Sequence, residues 1–194
     1  MNILPIDELN TLKTNLNERF PDGVLPQGNL VEEDFTLDEM LDLLLLAYAS
    51  GVESANAELG TSKRPSAEDA KNAVFAVVAG KTWEDRVKEY TRQGGSVYDI
   101  ERIAETDMTR IYNTAKLDTV RVNQLENSVF KRWDTMLDDR VRDTHDYLEA
   151  VVVPYDADFY SFDGDHARAP GLFSLPENNI NCRCQIELIR SDNV

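Results

Sequence analysis

The chain has few cysteines, few glycines and prolines, and no long apolar run, and each shortage excludes a class of protein. Its two cysteines, Cys182 and Cys184, have one residue between them, too close for an unstrained mutual disulfide, which excludes a disulfide scaffold. The longest purely apolar run, Leu43 to Ala47, is far short of the roughly 20 residues that span a bilayer, so we expect no membrane association. Nine glycines and seven prolines among 194 residues are too few for a collagen-like or low-complexity chain.

Basic residues are also scarce relative to acidic ones. The sequence has 36 Asp and Glu against 20 Lys and Arg, a formal net charge of −16. Such a charge repels duplex nucleic acid unless a local basic patch overcomes it, so direct nucleic-acid binding is not expected. An acidic mimic of DNA is an alternative, but it needs a regular row of carboxylates, and here Lys and Arg interrupt the acidic residues at 63–64, 86–92 and 131–142.

What is present is the pattern of a folded domain, because 42% of the residues are hydrophobic. The first half predicts helices at 7–20, 36–59, 65–80, 82–93 and 97–123, from apolar spacing and from helix starts and stops. Thr36 followed by Glu39, and Thr82 followed by Asp85, have the spacing of N-terminal caps.

After residue 127 the pattern changes to strands. Alternating or β-branched residues predict strands at 128–133, 151–153 and 181–188, with a helix at 138–148 and a long ordered excursion at 154–180. We therefore predict an α+β fold in which a helical N-terminal region, residues 1–97, packs on a small module, residues 98–194. That module should hold a short antiparallel sheet.

A stripe of polar side chains follows the long helix predicted at 97–123. Thr106, Arg110 and Asn113 are spaced i, i+4 and i+7 and share one face, and Asp107 precedes Arg110 by three positions. In one interpretation the stripe is a solvated face with a weak ion pair. In the other, Arg110 reaches into the C-terminal half of the protein.

The segment around His145 permits two further interpretations. Helical spacing places His145 inward, between Val141 and Leu148, with Asp138 on the same side and connected to it through Arg142. A His oriented by a carboxylate is a possible general base. The structural alternative is a partly buried charged cluster, made by Arg110, Asp138, Arg142 and His145.

The two cysteines also have an inert and a functional interpretation. Strand alternation over residues 181–188 places Cys182 and Cys184 on one face with Ile186 and Leu188, where free thiols behave as small core residues. On this basis we expect no cofactor and no stoichiometric metal. The alternative is zinc bound by His145, Cys182 and Cys184, with Asp138 or His166 as a fourth ligand, in a metal-dependent hydrolase-like enzyme.

Three groups of residues together form a longer motif with a set order and spacing. They are Ala104, Thr106, Arg110 and Asn113; then Lys131, Trp133, Thr135, Asp138, Arg140, Val141, Arg142, His145 and Leu148; and last Asn179, Ile180, Asn181, Cys182, Arg183 and Cys184. This arrangement resembles the Mu F-like minor head proteins of tailed bacteriophages, also called the phage head morphogenesis family. The resemblance covers roughly residues 80–190.

The resemblance implies a minor virion protein, and no enzymatic activity follows from it. Such a protein associates with the portal vertex and acts in head assembly, DNA packaging or genome delivery. Its partners are the portal protein and capsid proteins, and its location is the phage head near the portal, with the host cytoplasm as the site of assembly. The motif residues are then structural.

The helix predicted at 36–59 indicates where a partner binds. Leu41, Tyr48 and the four leucines at 43–46 are more apolar side chains than one narrow stripe holds. They must be covered by neighbouring helices or by another subunit. We therefore expect the N-terminal region, residues 1–97, to contact the portal or a second copy of the chain.

Overall fold

The computed structural model describes residues 4–25 and 37–193. The N-terminal part contains α1 (Ile6–Arg19), α2 (Leu37–Leu59), α3 (Ala67–Val74), α4 (Trp83–Gln93) and α5 (Val97–Val122). The C-terminal part contains β1 (Val129–Asp134), α6 (Asp143–Asp146), β2 (Val152–Pro154), β3 (Phe159–Tyr160), β4 (His166–Ala167), α7 (Pro176–Asn179) and β5 (Gln185–Arg190), and a 3-10 turn follows at Ser191–Asn193. The predicted helix start at Thr36 lies outside the described residues.

Reciprocal caps fix where three of the helices begin. At the start of α4, the Thr82 hydroxyl accepts a hydrogen bond from the Asp85 backbone N–H, and the Asp85 carboxylate accepts one from Thr82 N–H. The same exchange starts α3 and α5, with Ser66 and Ser96 as the capping residues. Because each cap satisfies donors that the helix leaves free, these boundaries are determined locally.

Two apolar cores lie along α2 and α5. The first is formed by α1 to α5 and includes Leu16, Leu44 and Ile111. The second contains Trp133 and Phe159 together with residues from the C-terminal ends of α2 and α5. The two long helices therefore connect the helical region, α1 to α5, to the strands and loops of residues 123–193, which are called the C-terminal module below.

The C-terminal sheet has three antiparallel strands in the order β2-β1-β5. Trp133 of β1 pairs with Ile186 of β5, and Lys131 pairs with Leu188 on one side and Val153 on the other. A second, two-stranded antiparallel sheet joins β3 to β4. The predicted α+β class, with a helical N-terminal half and a short antiparallel sheet, is confirmed.

Three predicted boundaries are wrong. The helix expected to reach residue 80 ends at Val74, and Ala79 and Gly80 have φ values of 51° and 81°, which no α-helix accommodates. The helix expected at 138–148 is reduced to α6, because backbone bends precede it and the Arg142 backbone is extended, with ψ 149°. The strand expected from residue 181 begins at Gln185.

Among the residues that the structure describes, no helix is both long and apolar enough to cross a bilayer.

Candidate functional site

Asn113 joins α5 to the C-terminal module. Its side chain is fully buried, and its Nδ2 donates hydrogen bonds to the backbone carbonyls of Thr109 (3.1 Å), Pro170 (3.2 Å) and Cys184 (3.2 Å). Its Oδ1 accepts a hydrogen bond from Ile186 N–H at 3.0 Å. One amide side chain therefore holds the start of β5 and the loop at 170 against the helix.

The other two residues of the stripe have different partners. Thr106 accepts a hydrogen bond from Asn181 N–H at 3.1 Å, which places it at the C-terminal module. Arg110 is only 4% exposed, so the interpretation as a solvated face is wrong. The expectation that Arg110 reaches into the C-terminal half is also wrong, because its guanidinium donates to Asp107 (3.0 Å) and to the carbonyl of Ala73 at the end of α3 (2.9 Å).

Lys116 is absent from the predicted polar stripe, but it lies about one helical turn after Asn113 and extends that stripe. The Lys116 ammonium is buried and donates to Glu58 of α2 and to the Ile186 carbonyl of β5, each at 2.6 Å. Burial lowers the pKa of this lysine, and the Glu58 carboxylate acts in the opposite direction. The i+3 spacing from Asn113 was the signal in the sequence.

His145, Cys182 and Cys184 converge in the C-terminal module and are all buried. The Nδ1 atom of His145 lies 3.6 Å from the Cys182 sulfur and 3.7 Å from the Cys184 sulfur. Phe173 stacks on the imidazole at a centroid distance of 5.4 Å, and Trp133 meets its edge at 5.3 Å. The predicted inward orientation of His145 and the burial of both cysteines are confirmed.

The pKa values of the two thiols are shifted in opposite directions. A hydrogen bond from Cys184, and then the His145 ring, hold the pKa of Cys182 well below its usual range despite burial. The same hydrogen bond, together with burial, raises the pKa of Cys184. The pair therefore favours one thiolate, at Cys182.

The expected charged cluster of Arg110, Asp138, Arg142 and His145 does not form. Asp138 is exposed and accepts two hydrogen bonds from Arg183, at 2.7 and 2.9 Å. Arg142 donates to the carbonyls of Glu177 within α7 and of Ile180 directly after it. Since α6 is only one turn long, the helical spacing that was to align these side chains is absent.

The remaining candidates occupy different places. Arg140 is exposed, and its backbone N–H donates to the Asp138 carboxylate at 3.1 Å. His166, considered as a fourth zinc ligand, lies exposed on β4 and pairs with Asp158 at 2.8 Å. Neither Asp138 nor His166 belongs to the group of ligand atoms around His145, so both proposed fourth ligands are wrong.

Lys131 of β1 is, like Lys116, a fully buried lysine. Its ammonium donates to the carbonyls of Ala157 and Arg168, each at 2.7 Å, and lies 5.2 Å from the centre of the Phe159 ring. Burial, and then the nearby Arg168 charge, lower the pKa of Lys131 to about 7. The folded protein therefore holds this proton less tightly than the unfolded chain does.

We predict that Lys131 makes stability rise with pH above neutrality. Between about pH 7 and about pH 10.4 this lysine is protonated in the unfolded chain to a greater extent than in the folded protein. The free energy of unfolding therefore increases with pH, by up to about 1.4 kcal/mol per pH unit. Urea unfolding of the wild type and of Lys131→Met across this range measures the effect, since the difference between them cancels other titrating groups. A difference that is constant with pH would contradict the prediction.

The chain is similar in sequence to a known protein family and to individual known proteins. Residues 70–187 match the family described as Phage Mu protein F like protein. The minor head protein GP7 of Bacillus phage SPP1 is 26% identical over 83 residues, which cover 43% of this chain and 27% of that protein. No solved structure matches.

A second relative has an enzyme's name. The NAD(+)--arginine ADP-ribosyltransferase EFV of Enterococcus faecalis is 25% identical over 115 residues, which cover 58% of this chain and 23% of that protein. The chain thus spans about a quarter of the length of each of these two relatives.

Proposed function

Because the chain belongs to the Phage Mu protein F like family, we propose that it is a minor head protein of a tailed bacteriophage. The observation that carries the proposal is the match over residues 70–187, which contains the whole motif from Ala104 to Cys184. The similarity to the minor head protein of a Bacillus phage supports it. In this proposal the protein associates with the portal vertex and acts in head assembly, DNA packaging or genome delivery.

The buried motif residues support an architectural role. The buried amide of Asn113 makes its hydrogen bonds with backbone groups, three of them in the C-terminal module, and Trp133 is fully buried in the core of that module. A side chain whose polar atoms are committed to the protein's own backbone is not free to bind a substrate. These residues therefore maintain a shape that partner proteins recognise.

The hydrolase-like alternative lacks the carboxylate that was to orient His145 as a general base. It required Asp138 to orient His145, and the Asp138 carboxylate instead pairs with Arg183 at the surface. The relative named as an ADP-ribosyltransferase shares only 23% of its length with this chain, so its activity is not transferred here. We accordingly propose a structural role for this chain.

The partner surface that we propose lies in the N-terminal region, residues 1–97. The monomer covers most of the apolar side chains of α2, but Leu45 and Leu46 remain 41% and 38% exposed. Leu46 borders a pocket of about 310 Å³ between α1 and α2, together with Glu39 and Asp42. An apolar surface with an acidic border fits a portal subunit that presents apolar and basic side chains.

We predict that several-fold less portal protein co-purifies with the double variant Leu45→Asp, Leu46→Asp than with the wild type. Two charges in the centre of an apolar contact are desolvated without partners, which weakens binding strongly. The measurement is affinity isolation of the tagged full chain from infected cells, with quantification of portal and capsid proteins. The matched control is Leu137→Asp, because Leu137 is 76% exposed and lies outside residues 1–97.

The outcomes of this isolation separate two claims. If the wild-type chain retains neither portal nor capsid proteins, the function proposed here is wrong. If the double variant retains portal as fully as the wild type does, the placement of the contact at α2 is wrong. If the variant changes only the chain's oligomeric state, the surface joins copies of this chain.

A further inference from the structure

We propose that His145, Cys182 and Cys184 bind one zinc ion. Among the described residues these three form a group whose ligand atoms all lie within 4.8 Å of one another. They come from two segments 37 residues apart in sequence, α6 and the stretch that precedes β5. The proposal does not depend on the phage function.

The distances already fit a tetrahedral metal. With Zn–S of about 2.3 Å and Zn–N of about 2.0–2.1 Å, a tetrahedral ion separates a thiolate sulfur from an imidazole nitrogen by about 3.5–3.6 Å. The observed separations from His145 Nδ1 are 3.6 Å to Cys182 and 3.7 Å to Cys184. Both nitrogen–sulfur separations therefore suit one ion shared by the three atoms, and the two sulfurs lie within 4.8 Å of each other.

The charge of the donor set also suits zinc. Two thiolates neutralise one Zn²⁺, so the buried group carries no net charge and avoids the penalty of an unpaired ion. Binding releases the thiol protons to solvent, and no oxidation or reduction takes place. Thiolate and imidazole donors favour zinc over magnesium or calcium, which prefer oxygen.

The histidine itself lacks ordinary partners. Its Nε2 is buried and has no hydrogen-bond partner among the described residues, and its Nδ1 meets only the two sulfurs. A buried imidazole that merely packs in a core usually satisfies both nitrogens with oxygen groups or water. A metal on Nδ1 gives this ring the strong interaction that the surrounding side chains do not supply.

A water molecule completes the coordination in our proposal. A pocket of about 10 Å³, enough for about one water, is lined by all three ligands and by Asn181. The Oδ1 atom of Asn181 is buried and accepts no hydrogen bond from the described residues. In our proposal it accepts a hydrogen bond from a metal-bound water, and three protein ligands with one open position are a known zinc arrangement.

The experiment is metal analysis of the full chain purified without chelators. We expect about one zinc per chain in the wild type, and loss of it in His145→Gln, Cys182→Ser and Cys184→Ser. The matched control is His166→Gln, which removes the other of the two histidines in the sequence and should retain the metal. Cobalt added to the metal-free protein should produce the visible and near-ultraviolet absorption of tetrahedral thiolate coordination.

A second measurement avoids variants that fail to fold. Because the chain has only two cysteines, a mercurial reagent added to the native wild type should release one zinc for every two thiols modified. A chelator should lower the melting temperature by several degrees, since the ion connects α6 to the start of β5.

Three results would overturn the proposal. They are a wild type with far less than one zinc per chain after purification in zinc-containing medium, one equivalent of a different metal, or zinc that stays bound when both thiols have reacted. The first would restore the interpretation of the cysteines as inert core residues.

Discussion

Replacing Gly51 with leucine should destabilise the protein by about 3 kcal/mol or more, the upper part of the range for overpacked cores. A Cβ atom at this position would lie 2.4 Å from the Tyr112 carbonyl oxygen and 2.8 Å from the Ala115 Cβ. Both neighbours are fixed parts of α5, so the two longest helices would have to separate. Those helices form the core of the helical region and support the sheet, and we expect the loss to be global.

Denaturant unfolding followed by far-ultraviolet circular dichroism measures this change. Ala57→Leu is the matched control, because it adds the same side chain to the same helix at an exposed position and should shift stability by about 0.5 kcal/mol or less. An equal loss of stability at both positions would show that the close contact of α2 with α5 at Gly51 is not the cause of the destabilisation.

Replacing Asn113 with leucine should destabilise the C-terminal module by about 3 kcal/mol or more. The change leaves Ile186 N–H and the carbonyls of Pro170 and Cys184 without the partner they have in the folded state. Each buried polar group without its hydrogen bond costs about 1–3 kcal/mol. We expect faster amide exchange at Ile186 and a lower free energy of unfolding.

The control for this second prediction is Asn10→Leu, an identical substitution at an exposed position of α1. Its expected effect is about 0.5 kcal/mol or less. Unchanged Ile186 exchange in Asn113→Leu would mean that β5 is held by its strand pairing to β1, and that the amide contributes little.

The helical half shows how much local signals determine. The apolar spacing at 7–20 predicts α1, and Thr82 with Asp85 predicts the start of α4, since a cap and its helix lie within one turn of sequence. The strand near residue 130 was also predicted, because its alternating side chains face a core on one side only.

The segment between Thr135 and Leu148 shows where local signals fail. Its spacing favours a helix, but Arg142 is extended and its guanidinium binds carbonyls of a segment 35 or more residues away. A charged group that finds backbone acceptors in the folded protein outweighs the small helix propensity of its neighbours. No window of sequence around Arg142 contains that information.

The candidate site combines both kinds of information. The sequence by itself determined that His145, Cys182 and Cys184 are core residues, and their burial is confirmed although the helix at 138–148 and the strand at 181–184, from which their faces were inferred, do not form. Only the tertiary structure decided that these three side chains meet while Asp138 and His166 stay at the surface with Arg183 and Asp158. The physical reason is that the residue type and its apolar neighbours in sequence indicate whether a side chain is buried, whereas the distance between segments depends on how α5, the sheet and the loops pack together.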